Sequence, residues 1–527
     1  MPIDSIDALV GAALALGADR IRGWSAAERA LAAGTPRARV AVGELRDRVR
    51  AREDPLGEAF ARIRGAETRR ALGQTYTPAP IVDSMVGWAA GHGRPARVVD
   101  PGTGSGRYLL AAGRRFPRAT LVGTDIDPVA TLMARGNLAA AGLARRAEVT
   151  LADYRQVALP PVEGSTVYLG NPPYVRHHQI EPCWKQWLVR AARERGLPAS
   201  QLAGLHAYFF LATARHGRPG DYGAFITAAE WLDVNYGRLV RELLLDGLGG
   251  TAVHLLEPTL APFPDAATTG AITCFEVGSR PGSLRLRRVA RVRDLGALDG
   301  GRRVARGRLA AASRWSPLTR AAPRLPPGWV ELGELCRVHR GAVTGANDIW
   351  VTHRGGTDLP EHLLFPSVTR ARELFDAGTD LADAGPLRLV VDLPADLAAL
   401  DQGTRRRVDR FLRRARASGG ADGYIARTRR AWWSVGLREP APLLATYMAR
   451  RPPAFVRNLV GARHINIAHG IYPRDPLPEP AIGRLAEHLR ASVTLGQGRT
   501  YAGGLTKFEP REMERLPVPA PELLLAT

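Results

Sequence analysis

The rhythm of apolar and polar positions changes three times along the 527-residue chain. Residues 1 to about 70 repeat at helical spacing, as in Ala26-Ala-Glu-Arg-Ala-Leu-Ala and Val42-Gly-Glu-Leu-Arg-Asp-Arg-Val, and predict a helical segment packed on the neighbouring domain. From about 71 to 295, short β-branched runs alternate with helical stretches, which predicts a doubly wound, mainly parallel Rossmann-like sheet. The Arg-rich and Pro-rich segments Arg285-Leu-Arg-Arg-Val, Arg302-Arg-Val-Ala-Arg and Ala322-Pro-Arg-Leu-Pro-Pro-Gly interrupt this alternation and mark a boundary between about 280 and 330. Residues 325–527 are expected to form a second, mixed α/β domain.

In the middle region, successive strands end in chemistry-bearing residues. Arg97-Val-Val-Asp100 leads into Pro-Gly102-Thr-Gly104-Ser-Gly106 and an apolar helix start. Such glycines let a backbone approach a ligand at the carboxyl edge of a sheet. The Gly-x-Gly-x-Gly spacing is not that of a dinucleotide loop, and no Gly-Lys-Ser/Thr follows for phosphate. An acid just before the loop suits an amine-bearing cofactor. Ala119-Thr-Leu-Val-Gly-Thr-Asp125-Ile126-Asp127 places a second acid about 20 residues on, the separation of a carboxylate that holds ribose hydroxyls. Ala147-Glu-Val-Thr-Leu-Ala-Asp153-Tyr154 offers an acid and an aromatic for the amino edge and face of an adenine.

The last of these tips is Thr166-Val-Tyr-Leu-Gly-Asn171-Pro172-Pro173-Tyr174. A residue before proline is pushed to an extended conformation, so the Asn171 carboxamide acceptor points in a fixed direction. The Pro172 carbonyl is a second acceptor nearby. Two acceptors converging on one NH2 draw its hydrogens out of conjugation and free the nitrogen lone pair. Tyr174 gives a flat face for stacking. The arrangement suits an exocyclic amine or a carboxamide, not a hydroxyl. In isolation Asn-Pro-Pro-Tyr is equally a proline-stopped loop; its place after the glycine loop favours the chemical reading.

Composition narrows the partners. With 73 Lys and Arg against 51 Asp and Glu the net charge is +22, which points to a polyanion. Only Lys185 and Lys507 are lysines, so part of this basicity is a compositional bias towards arginine. Cys183, Cys274 and Cys336 are isolated, indicating neither a disulfide framework nor a metal cluster, and fit a reducing cytoplasm. No leader and no uncharged apolar span of membrane length is visible, so no membrane association is expected.

Asp100 to Gly106, Asp125, Asp153-Tyr154 and Asn171 to Tyr174, in that order, resemble the gamma-class S-adenosylmethionine-dependent N6-adenine DNA methyltransferases. The resemblance implies a class I methyltransferase sheet over 71–295, with S-adenosyl-L-methionine held by Asp100, Gly102, Gly104, Gly106, Asp125, Ile126, Asp153 and Tyr154. Gly73-Gln-Thr-Tyr76-Thr77-Pro78 looks like the family segment along the cofactor's methionine end. Asn171, Pro172, Pro173 and Tyr174 would be catalytic, and Phe263, in Phe263-Pro-Asp, would stack on the flipped base. Residues 325–527 resemble a target-recognition domain, with Arg340, Thr344, Asn347, Arg427, Arg430, Tyr501 and Lys507 as expected DNA contacts. The implied activity is site-specific adenine N6-methylation of double-stranded DNA in restriction-modification or phage defence, without metal, and alongside a restriction or defence partner protein where one exists. Two rivals stay open: an amino methyltransferase acting on RNA adenine or protein glutamine, and a non-catalytic DNA-binding specificity subunit. The aromatic run from Leu205 to Ala214 reads as core, Arg405 to Arg414 as a solvated helix face, and His177 and His178 as loop residues.

Overall fold

The computed structural model describes residues 3–36, 41–65, 68–69, 73–257, 269–296, 298–319, 325–501 and 505–525. They fall into two compact units, one up to Thr319 and one from Leu325.

The first unit is built on a nine-stranded sheet: β1 (Arg97–Pro101), β2 (Thr120–Asp125), β3 (Ala147–Leu151), β4 (Thr166–Gly170), β5 (Tyr222–Ala228), β6 (Gly250–Leu256), β7 (Gly270–Glu276), β8 (Ser283–Val289) and β9 (Arg302–Ala305). Their spatial order is β3-β2-β1-β4-β5-β7-β6-β8-β9. The first five strands are parallel, and β7 enters antiparallel between β5 and β6. The order reverses between β1 and β4, and at such a switch point a crevice opens beyond the strand ends.

Strand alternation fills both faces. Val98, Val167 and Leu169 pack with Leu9, Met85 and Met133 on one side, whereas Val99 and Tyr168 pack with Phe210, Trp231 and Leu243 on the other. The two arginine-rich segments that broke the pattern in sequence are β8 and β9. Leu284, Leu286, Val289 and Val304 are buried and the arginines among them are half-buried or exposed, so the sheet runs on past residue 295. An edge pair buried on one face keeps period two with charge on its other face.

The chain leads with the helices α1 (Ile6–Leu16), α2 (Ala26–Gly34), α3 (Val42–Arg50) and α4 (Pro55–Ile63). After them come α5 (Ala79–His92), α6 (Arg107–Arg115) following β1, α7 (Pro128–Ala140) following β2, α8 (Pro182–Arg193) and α9 (Leu205–His216) following β4, and α10 (Arg238–Leu245) following β5. The leading helices are fastened to α7 by a fully buried ion pair, Arg135 Nε to Glu28 Oε1 at 2.9 Å. The same guanidinium donates to the carbonyls of Ile21, Arg22 and Val149 and lies over the Trp24 ring.

The second unit has a five-stranded sheet, ordered Cys336–Arg340, Ala468–Pro473, Leu443–Thr446, Phe455–Asn458 and Asp380–Leu381, and a four-stranded one that includes Leu364–Val368 and Arg388–Val391. The helix Gln402–Ala417 buries only Thr404, Val408 and Ala415, leaving its arginines a solvated face that pairs with Asp358 and Asp409. No helix among the described residues is long and apolar enough to cross a membrane.

Candidate cofactor and methyl-transfer site

The chain turns sharply where β1 ends. Gly102, Gly104 and Gly106 have φ of 76°, 53° and 88°, the left-handed region that glycine alone adopts cheaply. A Cβ on Gly106 would sit 3.4 Å from the Ala134 backbone, and one on Gly104 3.4 Å from the Tyr76 ring. The amides of Gly102 and Thr103 donate to the Thr124 carbonyl at the tip of β2, each at 2.8 Å. Asp125 fixes the same loop, accepting from the Gly104 amide at 2.9 Å through one oxygen and from the Asp127 amide at 3.0 Å through the other. Burial lifts its pKa to about 6, against the opposing effect of those amides.

A cavity of about 660 Å³ opens over this edge. Its lining brings together Tyr76, Thr77, Gly102, Gly104, Asp125, Ile126, Asp153, Tyr154, Asn171 and Pro173. Pro78, Asp100, Gly106, Pro172 and Tyr174 stand behind that lining. Pro78 is the N-cap of α5 and Gly106 that of α6. Asp100 is 1% exposed; one oxygen accepts from Thr103 Oγ1 at 3.0 Å and the other has no hydrogen-bond partner among the described residues. Burial raises its pKa to about 8, with Asp125 adding to the rise and Thr103 opposing it. Ile126 is 68% exposed, an apolar side chain held in the open. Tyr154 is buried, its hydroxyl bonded to Thr213 and its ring stacked on Phe209 at 5.5 Å.

Asn171 occupies the tip of β4. Its Nδ2 donates to the Thr75 carbonyl at 3.0 Å, and that bond sets the orientation of the carboxamide. Oδ1 is left buried without a partner among the described residues. Tyr174 is half-buried, its amide reaches the Gly73 carbonyl at 3.4 Å, and burial raises its phenol well above the usual range.

Several contributors carried no signal in the sequence. Asp54, at the start of α4, accepts from Ser105 Oγ, Arg107 Nε, Asn137 Nδ2 and the Gly57 amide, at 2.5, 2.6, 3.1 and 2.9 Å. Arg107 in turn donates to the Thr77 carbonyl and lies 5.0 Å over the Tyr76 ring. The leading helices therefore hold the glycine loop and the Tyr76 segment together. Arg64 also lines the cavity and pairs with Asp127. Phe209 and Leu205, read as core with the rest of their run, line the cavity too, because α9 presents that edge to β4. Arg155 and Trp184 complete the wall beside Asp153.

Of the expected DNA contacts, Phe263 and the Tyr501 side chain lie outside the described residues. Arg340 and Lys507 come together at 5.6 and 5.5 Å over the Tyr447 ring, and Lys507 also pairs with Glu509. Asn347, Arg427 and Arg430 are exposed. Thr344 is only 4% exposed and donates to Asn347 Oδ1. It holds its own turn, helped by Arg429 on the Val343 and Thr344 carbonyls.

A mostly parallel sheet with a cavity over its strand ends is the architecture of a class I methyltransferase. Comparison with known proteins narrows the class. Residues 325–526 match the family described as Type II methyltransferase M.Eco57I, C-terminal domain. The Type II methyltransferase M.XamI of Xanthomonas campestris pv. amaranthicola is 49% identical over 538 aligned residues, covering 100% of both chains. The Type II methyltransferase M.AccI of Acinetobacter calcoaceticus is 20% identical, covering 85% of each. The solved structure of the Type IIL restriction-modification enzyme MmeI in complex with DNA shares the fold, with a TM-score of 0.55 and 13% identity over 86% of this chain and 69% of that one. The chain belongs to the Type II DNA methyltransferases of restriction-modification, and S-adenosylmethionine is its cofactor.

Proposed function

We propose that this chain methylates the N6 amine of an adenine rotated out of duplex DNA. The observation that carries this reading is the state of Asn171: its NH2 is committed to Thr75, and its carbonyl oxygen waits, buried and unmatched, at the strand edge beside the cavity. A buried acceptor without a donor is costly, and an incoming amine supplies one.

The cavity residues fit the cofactor. The glycine loop leaves space that a Cβ would narrow, Asp125 stands where ribose hydroxyls would lie, Ile126 and Phe209 offer apolar faces to an adenine ring, and behind them Asp100 keeps an oxygen without a partner among the described residues, a charge partner for an amino group. S-adenosylmethionine supplies a methyl group on a sulfonium leaving group.

A base in the duplex cannot reach a sheet edge, so it is rotated out at a cost of a few kcal/mol. Stacking on Tyr174 offsets about 1–3 kcal/mol of that. Asn171 Oδ1 and the Pro172 carbonyl accept the two amine hydrogens. The amine lone pair so exposed would take the methyl group that the cofactor supplies, the sulfur leaving as a thioether, and one N6 proton would pass to solvent. Positioning and fixed dipoles provide the acceleration, since no covalent enzyme intermediate is needed. The second unit reads the DNA sequence through Arg340, Asn347, Arg427, Arg430 and Lys507, and a nuclease of matching specificity is the partner we expect.

Duplex DNA incubated with isotopically labelled cofactor, digested to nucleosides and analysed by mass spectrometry, tests the reading. Label in N6-methyl-2′-deoxyadenosine supports it; label only in a methyl-2′-deoxycytidine, or label in RNA or protein supplied in its place with none in DNA, counts against it.

A further inference from the structure

The outer strand Cys336–Arg340 of the five-stranded sheet in the second unit has two unlike faces. Cys336 and Val338 are buried in that unit's core, and strand alternation turns Arg337 and His339 the other way. Arg337 is in register with Tyr472 on the neighbouring strand, and the His339 and Tyr472 rings meet edge to face at 5.6 Å. A cavity of about 570 Å³ opens on this side, with Arg337, His339, Arg438, Glu439, Tyr472 and Arg474 in its lining.

Its walls are held in place by hydrogen bonds. The Gly436 and Leu437 amides each donate to Asp392 at 2.8 Å, Arg463 donates to the Arg438 carbonyl at 2.7 Å, and the Tyr472 hydroxyl donates to the Glu439 carbonyl at 2.8 Å. Arg474 Nε donates to the Gly333 carbonyl at 2.8 Å. The acid in the lining, Glu439, is paired with Arg463 at 3.2 Å. The guanidiniums of Arg337 and Arg438 have neither an ion pair nor a hydrogen-bond partner among the described residues.

Three guanidiniums round one cavity, with the neighbouring carboxylate already paired, repel one another until a counter-charge enters. Guanidinium forks match phosphate oxygens in pairs, and the fixed Tyr472 ring offers a face to a planar group. The volume lies within the roughly 300–1000 Å³ of small-ligand sites. Arg340, which alternation sends to the opposite face, meets Lys507 over the Tyr447 ring, so the cavity is separate from that cluster.

We propose that this cavity binds a phosphate-bearing anion, with Arg337, Arg438 and Arg474 taking its oxygens. The phosphoryl group comes from a free nucleotide or from a DNA phosphodiester, and the chemistry of capture is the same for both.

Titration calorimetry on the full-length protein without cofactor, with inorganic pyrophosphate as probe, tests it. The native protein should bind saturably, one pyrophosphate per chain. The double variant Arg337→Gln, Arg438→Gln should weaken binding at least about tenfold. The double variant Arg406→Gln, Arg413→Gln, which removes the same charge from exposed positions on the solvated helix, should stay within about twofold of native. Repeating the titration on protein saturated with duplex DNA separates the two sources: lost pyrophosphate binding assigns the site to a phosphodiester, retained binding to a free anion, and either upholds it. No saturable binding to the native protein would overturn the proposal. Equal weakening in the two double variants would do so as well, because it would reduce the effect to overall charge.

Discussion

Asp100 shows how one sealed side chain can be ready for a cation. Burial raises its pKa from 3.8 to about 8, so the folded protein retains a proton that the unfolded chain releases above about pH 4. The native state binds more protons over that interval, and the group's contribution to stability therefore falls as pH rises from about 4 to about 8. A cofactor ammonium beside the free oxygen would restore the ionised form. Binding at pH 7 should then release up to about one proton and tighten as pH rises towards 8. Calorimetry in two buffers of different ionisation enthalpy reads this release, and Asp100→Asn should abolish it; identical heats in both buffers for the native protein would speak against the assignment. At this scale residue type and strand order were enough to place Asp125 and Asn171 at strand ends beside one cavity. The sequence could not show that Asp100 lies behind the cavity wall, nor that the Asn171 amide is oriented by Thr75, a carbonyl 96 residues away. Thr344 looked like a polar tip because its small turn is rich in polar residues; its burial and its bond to Asn347 were not legible there.

Among elements, the leading helices matter most beyond what their pattern announced. Helical periodicity predicted that they exist and pack, and apolar spacing is the cause of both. Their role depends on pairs no spacing reveals: Glu28 with Arg135, 107 residues apart, and Asp54 with Arg107, 53 apart. The two pairs make different predictions. Glu28→Ala leaves a buried guanidinium uncompensated, and chemical denaturation should show about 3–5 kcal/mol lost, with cofactor affinity of the folded fraction unchanged. Asp54→Ala removes the acceptor that joins Ser105 to Arg107, and should lower affinity for S-adenosylhomocysteine at least about tenfold, by calorimetry, at a smaller cost in stability. Equal effects of both on cofactor affinity would mean that Asp54 has no special part in the site. The β8–β9 pair was misread for a related reason: alternating Arg and Leu resembles a charged linker until the burial of Leu284 and Leu286 reveals the covered face.

Across the whole molecule, a net charge of +22 and a second unit carrying exposed arginines imply that DNA affinity is dominated by phosphate contacts. Each neutralised phosphate contributes about −0.9 to the slope of log K against log salt, so binding to a cognate duplex should weaken steeply with added salt. Arg427→Gln and Arg430→Gln should each flatten that slope by about one if they contact phosphate; slopes matching the native protein would place them off the DNA. The two-unit division was legible because a proline-rich stretch separates two patterns, and the parallel sheet because β-branched runs and helices alternate. Still illegible was which side chains from distant segments meet.

The most direct test is a single-turnover assay of Asn171→Ala on duplex oligonucleotides, with cofactor affinity measured in parallel. If Asn171 activates the amine, cofactor binding stays close to native and N6-methyladenine formation falls by a factor of about 100 or more. Native-like methyl transfer by that variant would contradict this role.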